Sequence, residues 1–206
     1  MMDGKVIISI GRQFGSGGRS IGKMIADKLG IGYYDVELLR LAAKEIGFGE
    51  EAFAAVDEKP NFGRFFQNIE NLMSGSQTDS LMSNANLFQV QSDVIRQIAE
   101  RESCVIMGRC SDYVLREDDR CVSLFLTADE DDRVRRVMER LEVDEAKAEK
   151  IITSTNKRRA EYYNYYTGKK WGDAASYHLC VNVTALGEEG TADFICDFRC
   201  FLLCYP

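Results

Sequence analysis

Several residue types and patterns that often decide function are scarce or missing in this chain. Its 206 residues include one histidine, His178, and the seven cysteines form no C-x-x-C pair, so the usual zinc-site spacing is missing. No run of about 18 apolar residues is present, which argues against a membrane-spanning helix. The first residues do not have the form of a signal peptide. We therefore expect a cytoplasmic protein whose reduced cysteines pack as small hydrophobic side chains.

An excess of positive charge is also missing. The net charge is −7 at pH 7, which argues against a nucleic acid polymer as partner. The basic residues are nevertheless clustered, at 133–140, 157–159 and 169–170. An acidic chain with local arginine clusters favours a small anionic ligand.

Short apolar runs alternate with segments of helical period along the chain. The runs suited to buried strands are 5–10, 31–34, 104–107, 122–127 and 179–183, and the helical patterns are 20–29, 36–46, 50–56, 87–100, 130–140, 144–166 and 191–203. This alternation predicts a single α/β domain over residues 1–206, with a five-stranded parallel sheet and helices on both faces. Residues 57–86 have no clear period, and we interpret them as part of an excursion from the core.

A glycine-rich loop follows the first predicted strand and leads into the first predicted helix. Residues 13–20 match the phosphate-loop pattern G-x-x-x-x-G-K-[ST], with Gln13 in place of the first glycine and Arg19 in place of the lysine. Glycines allow the backbone amides to approach phosphate oxygens, and Ser20 stands where such a loop ligates Mg²⁺. The loop therefore predicts binding of ATP and Mg²⁺ by Gly15, Ser16, Gly17, Gly18, Arg19, Ser20 and Ile21.

The same loop has a second interpretation. Gly11-x-x-x-Gly15-x-Gly17 is also the spacing of short-chain dehydrogenases, and Tyr165-x-x-x-Lys169 has the form of their catalytic pair. Asp35, after the second strand, could then bind a ribose hydroxyl. An NAD(P)-dependent oxidoreductase is thus one alternative, although Asn84-Ala85-Asn86, an echo of another dehydrogenase motif, follows no apolar strand run.

Further segments carry a resemblance to a known family. They are Tyr33-Tyr34-Asp35-x-Glu37-Leu38-Leu39-Arg40, Val105-Ile106-Met107-Gly108-Arg109, Leu124 to Asp129 followed by Arg133-x-x-Arg136, and Asn156-Lys157-Arg158-Arg159-Ala160-Glu161-Tyr162-Tyr163. With the glycine loop, they make the chain resemble the cytidylate kinase-like family, a branch of the P-loop nucleoside monophosphate kinases.

The resemblance implies a three-layer α/β/α P-loop fold, a helical nucleoside-monophosphate insertion at about 36–100 and a helical lid at about 153–170. It implies transfer of the γ-phosphoryl group of ATP to a nucleoside monophosphate of the CMP or dCMP type, or to a similar small acceptor. It assigns catalytic cations and acceptor contacts as follows: catalytic Arg19, Arg109, Arg158 and Arg159; acceptor-binding Asp35, Arg40, Arg109 and Arg133. The tyrosines at 162, 163, 165 and 166 are interpreted as packing residues or as the face of a homodimer.

The chain departs from the family pattern at three positions. Arg19 replaces the loop lysine, Cys110 follows Gly108-Arg109 where cytidylate kinases have Asp, and Asn156 stands where their lid has Asp. Arg19 and Asn156 motivate another alternative, a nucleotide-binding module without catalytic activity.

A phosphate acceptor is already anionic and needs no strong general base, which agrees with a chain that contains a single histidine.

Overall fold

The computed structural model of the chain describes residues 5–35 and 78–204, with side chains at 5–35 and 88–198. Within these ranges, strands alternate with helices. Their bounds are β1 Ile7–Arg12, α1 Gly18–Leu29, β2 Gly32–Tyr34, α2 Thr78–Arg101, β3 Cys104–Met107, α3 Ser111–Val114, β4 Cys121–Thr127, α4 Glu130–Leu141, α5 Glu145–Thr167, β5 Leu179–Asn182 and α6 Val183–Cys204.

The strands form one parallel sheet in the order β2-β3-β1-β4-β5. The predicted five-stranded parallel sheet and α/β class are therefore confirmed. β1 is central, and its register pairs Ile10 with Met107 of β3. Because the strands are parallel, the residues that follow Ile10 and Met107 lie side by side at the carboxyl ends of the strands.

Helices cover both faces of the sheet, because alternate side chains of a strand point to opposite faces. Ile8 and Ile10 pack with α1 and α6 in one buried cluster, and Ile7 packs with α2 in another. Burial of such a side chain contributes about 1.5–3 kcal/mol. The result is a three-layer arrangement in which β1 and β3 are packed between helices on both faces.

The helix bounds differ from the prediction in three places. Residues 78–86, assigned to the irregular excursion, form the first turns of α2, and their serines and asparagines obscure the helical period. The four-residue helix α3 was too short to predict. α6 begins at Val183 rather than 191, and it contains a kink at Gly187, where φ is 70° and ψ is 174°.

Some predictions fall on other parts of the chain. The helices at 36–46 and 50–56, residue Arg40 and the segment 57–77 lie outside the described residues. In the part of the chain that is described, no helix is long and apolar enough to cross a membrane.

Candidate active site

A tight loop, residues 13–17, connects β1 to α1. Gly15 and Gly17 have φ of 83° and 78°, a left-handed conformation that glycine adopts readily. A Cβ on Gly15 would lie 2.8 Å from the carbonyl oxygen of Arg133, and one on Gly17 would collide with Oε1 of Glu188. The loop therefore needs glycine at both positions, and it runs directly into a helix N-terminus, an arrangement that binds phosphate.

The other predicted loop residues have distinct environments. Ser16 is buried, and its hydroxyl donates a 2.9 Å hydrogen bond to the carbonyl oxygen of Gln13. Ile21 is buried in the core and donates its amide to the carbonyl oxygen of Gly17 at 3.1 Å. Ser20 is exposed in the first turn of α1. Its hydroxyl is thus accessible at the place where a phosphate-bound Mg²⁺ would need a ligand.

Arg19, the loop cation, is joined to Asp35, which follows β2. Nε of Arg19 donates to Oδ2 of Asp35 at 3.1 Å, and Nη2 donates to the same oxygen. The side chain of Arg19 is 70% exposed, whereas that of Asp35 is 11% exposed. These hydrogen bonds, which the Asp35 carboxylate accepts, raise the pKa of Arg19. Two residues predicted to contact different substrates are therefore brought into direct contact with each other.

Arg12, at the carboxyl end of β1, was missed by the sequence analysis. Its guanidinium lies over Gly108, where a Cβ would collide with Nη1 of Arg12. Burial, and then the charge of Arg109, lowers the pKa of Arg12 to about 10. The signal was available: Arg12 follows a glycine at the end of a strand, as Arg109 does, and ligands gather at such strand ends.

The turn after β3 has an uncommon backbone. Gly108, Arg109 and Cys110 have φ of 73°, 59° and 55°, so three successive residues are left-handed. Successive residues of this kind are costly without glycine, at about 1–2 kcal/mol per residue. The guanidinium carbon of Arg109 lies 6.0 Å from the ring centre of Tyr162 on α5. The turn thus places Arg109 at the edge of the sheet, between β3 and α5.

Helix α5 supplies the next arginine of the site. Nη1 of Arg159 donates to the carbonyl oxygen of Arg12 at 2.8 Å. Burial lowers the pKa of Arg159 to about 8, with further contributions from Arg12 and Arg109. Burial and the neighbouring arginines therefore disfavour the charged form of Arg159 in the free protein. An anionic ligand would relieve that cost.

The other two predicted arginines contact residues a few positions earlier in the chain. Nη2 of Arg158 lies 3.4 Å from Oγ1 of Thr155, one turn earlier in α5. Nε of Arg133 donates to the carbonyl oxygen of Ala128 at 3.0 Å, at the start of α4. Arg133 is also the residue packed against Gly15, so it borders the phosphate loop.

A cavity of about 90 Å³ opens between the ends of β1 and β3 and helix α5. One part of its wall is cationic, and another part is aromatic. The lining includes Arg12, Arg109 and Arg159 together with Tyr162, Tyr163, Trp171 and Tyr177. Such a cavity can take a small ligand with an anionic group and a flat or apolar body.

One carboxylate, that of Asp112, also lines the cavity. The hydroxyl of Tyr163 donates to Oδ2 of Asp112 at 2.7 Å. Burial raises the pKa of Asp112, although the hydrogen bond from Tyr163 opposes the shift. The ring of Tyr163 stacks on Tyr177 with centroids 6.0 Å apart. Asp112 therefore fixes the aromatic wall of the cavity.

Cysteines and metal ligands give no competing site in the described residues. Cys104, Cys110 and Cys121 are buried free thiols, and burial raises the pKa of the Cys104 thiol to about 12. The described residues contain no cluster of three or more potential His, Cys, Asp or Glu metal ligands. The side chains of Cys200 and Cys204 lie outside them.

The predicted site residues thus divide into two groups. Arg109 and Arg159 line one cavity with Arg12, whereas Arg19 pairs with Asp35 and Arg133 borders the loop. Tyr165, the residue suggested by the dehydrogenase pattern, is 72% exposed on α5.

Comparison with known families agrees with this geometry. The sequence matches the cytidylate kinase-like family over residues 7–185. The chain belongs to this family. Membership supports a nucleotide or small-molecule kinase, and it leaves the acceptor open.

Solved structures give a consistent result. An uncharacterized protein from Eubacterium ventriosum is 29% identical, with a TM-score of 0.73, and the similarity covers 95% of this chain and 98% of that one. The fold is shared with shikimate kinase from Bacteroides thetaiotaomicron, at 15% identity, a TM-score of 0.53 and coverage of 94% and 97%. It is also shared with shikimate kinase from Acinetobacter baumannii, at 13% identity, a TM-score of 0.53 and coverage of 98% and 96%. No curated protein matches the sequence.

Proposed function

We propose that this chain is an ATP-dependent phosphotransferase that transfers the γ-phosphoryl group to a nucleoside monophosphate of the CMP or dCMP type, or to a similar small anionic acceptor. The observation that carries the proposal is the cavity at the ends of β1 and β3. It gathers three guanidiniums, those of Arg12, Arg109 and Arg159, beside a glycine-rich phosphate loop.

The donor side is the loop. The left-handed glycines at 15 and 17 bring backbone amides close to the N-terminus of α1, and this fits a bound polyphosphate. The exposed hydroxyl of Ser20 fits a ligand of Mg²⁺. When bound, Mg·ATP supplies the phosphoryl group and offsets part of its charge.

The acceptor side is the arginine-lined cavity. Guanidiniums suit phosphate because their planar N–H groups match two phosphate oxygens at once. Crowding three of them costs stability in the free protein, and that cost favours binding of an anion. A phosphate acceptor is ionised near neutral pH and needs no general base. The lone histidine, His178, lies elsewhere, with Nδ1 accepting from the amide of Ser123 at 3.1 Å.

Closure over the two substrates is assigned to residues 153–170, in the second half of α5 and its return. Tyr162 and Tyr163 on this segment line the cavity, as does Trp171 just after it. Closure would exclude water and strengthen each charged contact. The acceptor insertion is assigned to about 36–100, and Arg40 within it remains a proposed contact.

A second candidate, a nucleotide-binding module without catalysis, is favoured by one observation. Arg19, the loop cation, is engaged by Asp35 instead of lying free at the loop. A module of this kind would bind Mg·ATP and show no acceptor-dependent turnover.

The test is ADP release from Mg·ATP across a panel of nucleoside monophosphates and small hydroxy acids, with ATP binding measured in parallel. Turnover with at least one acceptor is expected. Arg109→Ala should lower acceptor-dependent kcat/KM on the order of 10³-fold, while ATP affinity is retained. Arg135→Ala, which removes an arginine paired with Asp132 on the surface of α4, is the matched control. ATP binding without turnover on any acceptor would favour the non-catalytic module.

A further inference from the structure

Helix α5 forms hydrogen bonds with the backbone where β1 passes into the phosphate loop, at Arg12 and at Phe14. Oδ1 of Asn156 accepts the amide N–H of Phe14 at 2.8 Å. Nη1 of Arg159 donates to the carbonyl oxygen of Arg12 at 2.8 Å. Asn156 and Arg159 are three positions apart, so they lie on the same face of the helix. This face of α5 therefore binds the backbone N–H of Phe14 in the loop and the backbone carbonyl of Arg12 at the end of β1.

The side chain of Phe14 is held by the same region. Its ring packs against the buried cluster formed by Val137 on α4 and Ile152 on α5. The guanidinium carbons of Arg140 and Arg159 lie 4.8 Å and 5.5 Å from the ring centre. Phe14 is therefore fixed by its ring as well as by its amide, immediately before the first left-handed glycine of the loop.

The chemistry of Asn156 suits this place. Its amide oxygen satisfies the N–H of Phe14 without adding a negative charge among Arg140 and Arg159. Because the amide N–H of Phe14 donates to Asn156 on α5, a bound phosphate would accept hydrogen bonds from the later amides of the loop. A carboxylate would make the same bond, but it would also offset the positive potential that attracts phosphate.

We propose that Asn156 is a positioning residue that holds the phosphate loop in its nucleotide-binding conformation through the amide of Phe14. The proposal rests on the proposed function, because it concerns the loop that binds ATP. It gives a role to a position at which the chain departs from its family pattern. It also narrows the closure assigned to residues 153–170: Asn156 and Arg159 stay bonded to the backbone of Phe14 and Arg12, so the part of that segment that moves is the part after Arg159.

The test compares Asn156→Ala with Asp144→Ala. Asp144 immediately precedes the same helix, outside residues 153–170, and makes the same kind of bond, with Oδ1 accepting the amide of Lys147 at 2.8 Å. Isothermal titration of the full chain with Mg·ATP should show about a tenfold weaker affinity for Asn156→Ala, and a change under about twofold for Asp144→Ala. Asn156→Asp, which retains the acceptor oxygen, should recover most of the loss.

A second measurement does not depend on ATP. Amide hydrogen exchange in the peptide covering residues 13–18 should become faster in unliganded Asn156→Ala and stay unchanged in Asp144→Ala. Equal effects of the two variants on both readouts, or no effect of Asn156→Ala on either, would overturn the proposal.

Failure of the proposed function gives a different pattern. ATP binding that depends on Asn156, with no acceptor-dependent turnover, would overturn phosphoryl transfer and leave the positioning role supported. If the wild-type chain bound no Mg·ATP, both proposals would fall.

Discussion

Nη1 of Arg159 donates a hydrogen bond of 2.8 Å to the carbonyl oxygen of Arg12, so a residue of α5 is tied to the residue that ends β1. Both guanidiniums line the same cavity, and burial lowers the pKa of each. The two cations are therefore held together by a backbone contact in spite of their mutual repulsion. This relationship implies that the site lowers stability when it is empty.

Replacing Arg159 should stabilise the unliganded chain and weaken its binding of anionic ligands. Because folding lowers the pKa of Arg159 from 12.5 to about 8, its charge is unfavourable in the folded state, and the cost is fully present at pH 7. Arg159→Gln should raise the melting temperature of the unliganded chain by about 2–4 °C, which corresponds to roughly 1 kcal/mol. It should also reduce the further rise produced by Mg·ATP or pyrophosphate. Differential scanning calorimetry with and without ligand measures both, and a lower melting temperature with an intact ligand response would contradict the assignment.

Substitutions of Arg19 and Asp35 should change the affinity for Mg·ATP in opposite directions. Arg19→Ala removes the loop cation and should weaken Mg·ATP binding at least about tenfold, because a charged contact to phosphate contributes about 1.5–3 kcal/mol. Asp35→Asn removes the negative charge that holds Arg19 and should strengthen binding. Titration calorimetry of the two variants is the measurement, and Lys23→Ala, one turn further along α1, is the control. Unchanged affinity in Arg19→Ala would show that the guanidinium takes no part in nucleotide binding.

Two aspartates predict pH effects of opposite sign. Burial raises the pKa of Asp112, so its stabilising contribution is present at low pH and lost as the pH rises through the folded pKa. Hydrogen bonds from Arg120 lower the pKa of Asp118, so its contribution is present at neutral pH and lost as the pH falls. Urea unfolding at pH 4 and pH 7 should show that Asp112→Asn stabilises the chain only at pH 7. Asp118→Asn should cost about 1–2 kcal/mol at pH 7, nearly as much at pH 4, and less at pH 2.5, because the pKa of Asp118 is lowered from the ordinary value of 3.8. Parallel behaviour of the two variants would refute this account.

Gly17 and Gly30 allow backbone strain to be separated from steric collision. Both have positive φ, 78° and 62°, but a Cβ on Gly30 would meet nothing within 4 Å, whereas one on Gly17 would meet Glu188. Gly30→Ala should cost about 1–2 kcal/mol, and Gly17→Ala should cost more. Adding Glu188→Ala to Gly17→Ala should recover the difference, as measured by urea unfolding. If Gly17→Ala were no worse than Gly30→Ala, the contact with Glu188 would be unimportant.

Much of the fold could be predicted from the sequence because buried strands and their flanking glycines leave local patterns. The runs around Ile8, Val105 and Leu124 are apolar enough to identify three adjacent strands, and family membership follows from motifs beside them. Arg109 was named as a site candidate because it follows a glycine directly after one of these apolar strands. Arg12 was overlooked because an arginine inside a strand end is usually interpreted as a surface residue.

Contacts between distant residues could not be predicted in this way. The bond between Phe14 and Asn156 joins residues 142 positions apart, and it depends on how α5 crosses the sheet edge. The pairing of Arg19 with Asp35 depends on side-chain rotamers. No local pattern specifies either contact. The sequence identified Arg19 and Asp35 as site candidates and Asn156 as a departure from the family pattern, and it indicated none of their partners.

The left-handed turn after β3 has a consequence for sequence variation in this family. Arg109 and Cys110 adopt φ of 59° and 55°, where glycine or asparagine would be less strained. A descendant that no longer needed a cation at this edge would gain stability by exchanging Arg109 for glycine. If Arg109 binds the ligand as proposed, that contact is what compensates for the strained backbone, and a relative with glycine at this position would be expected to lack the contact.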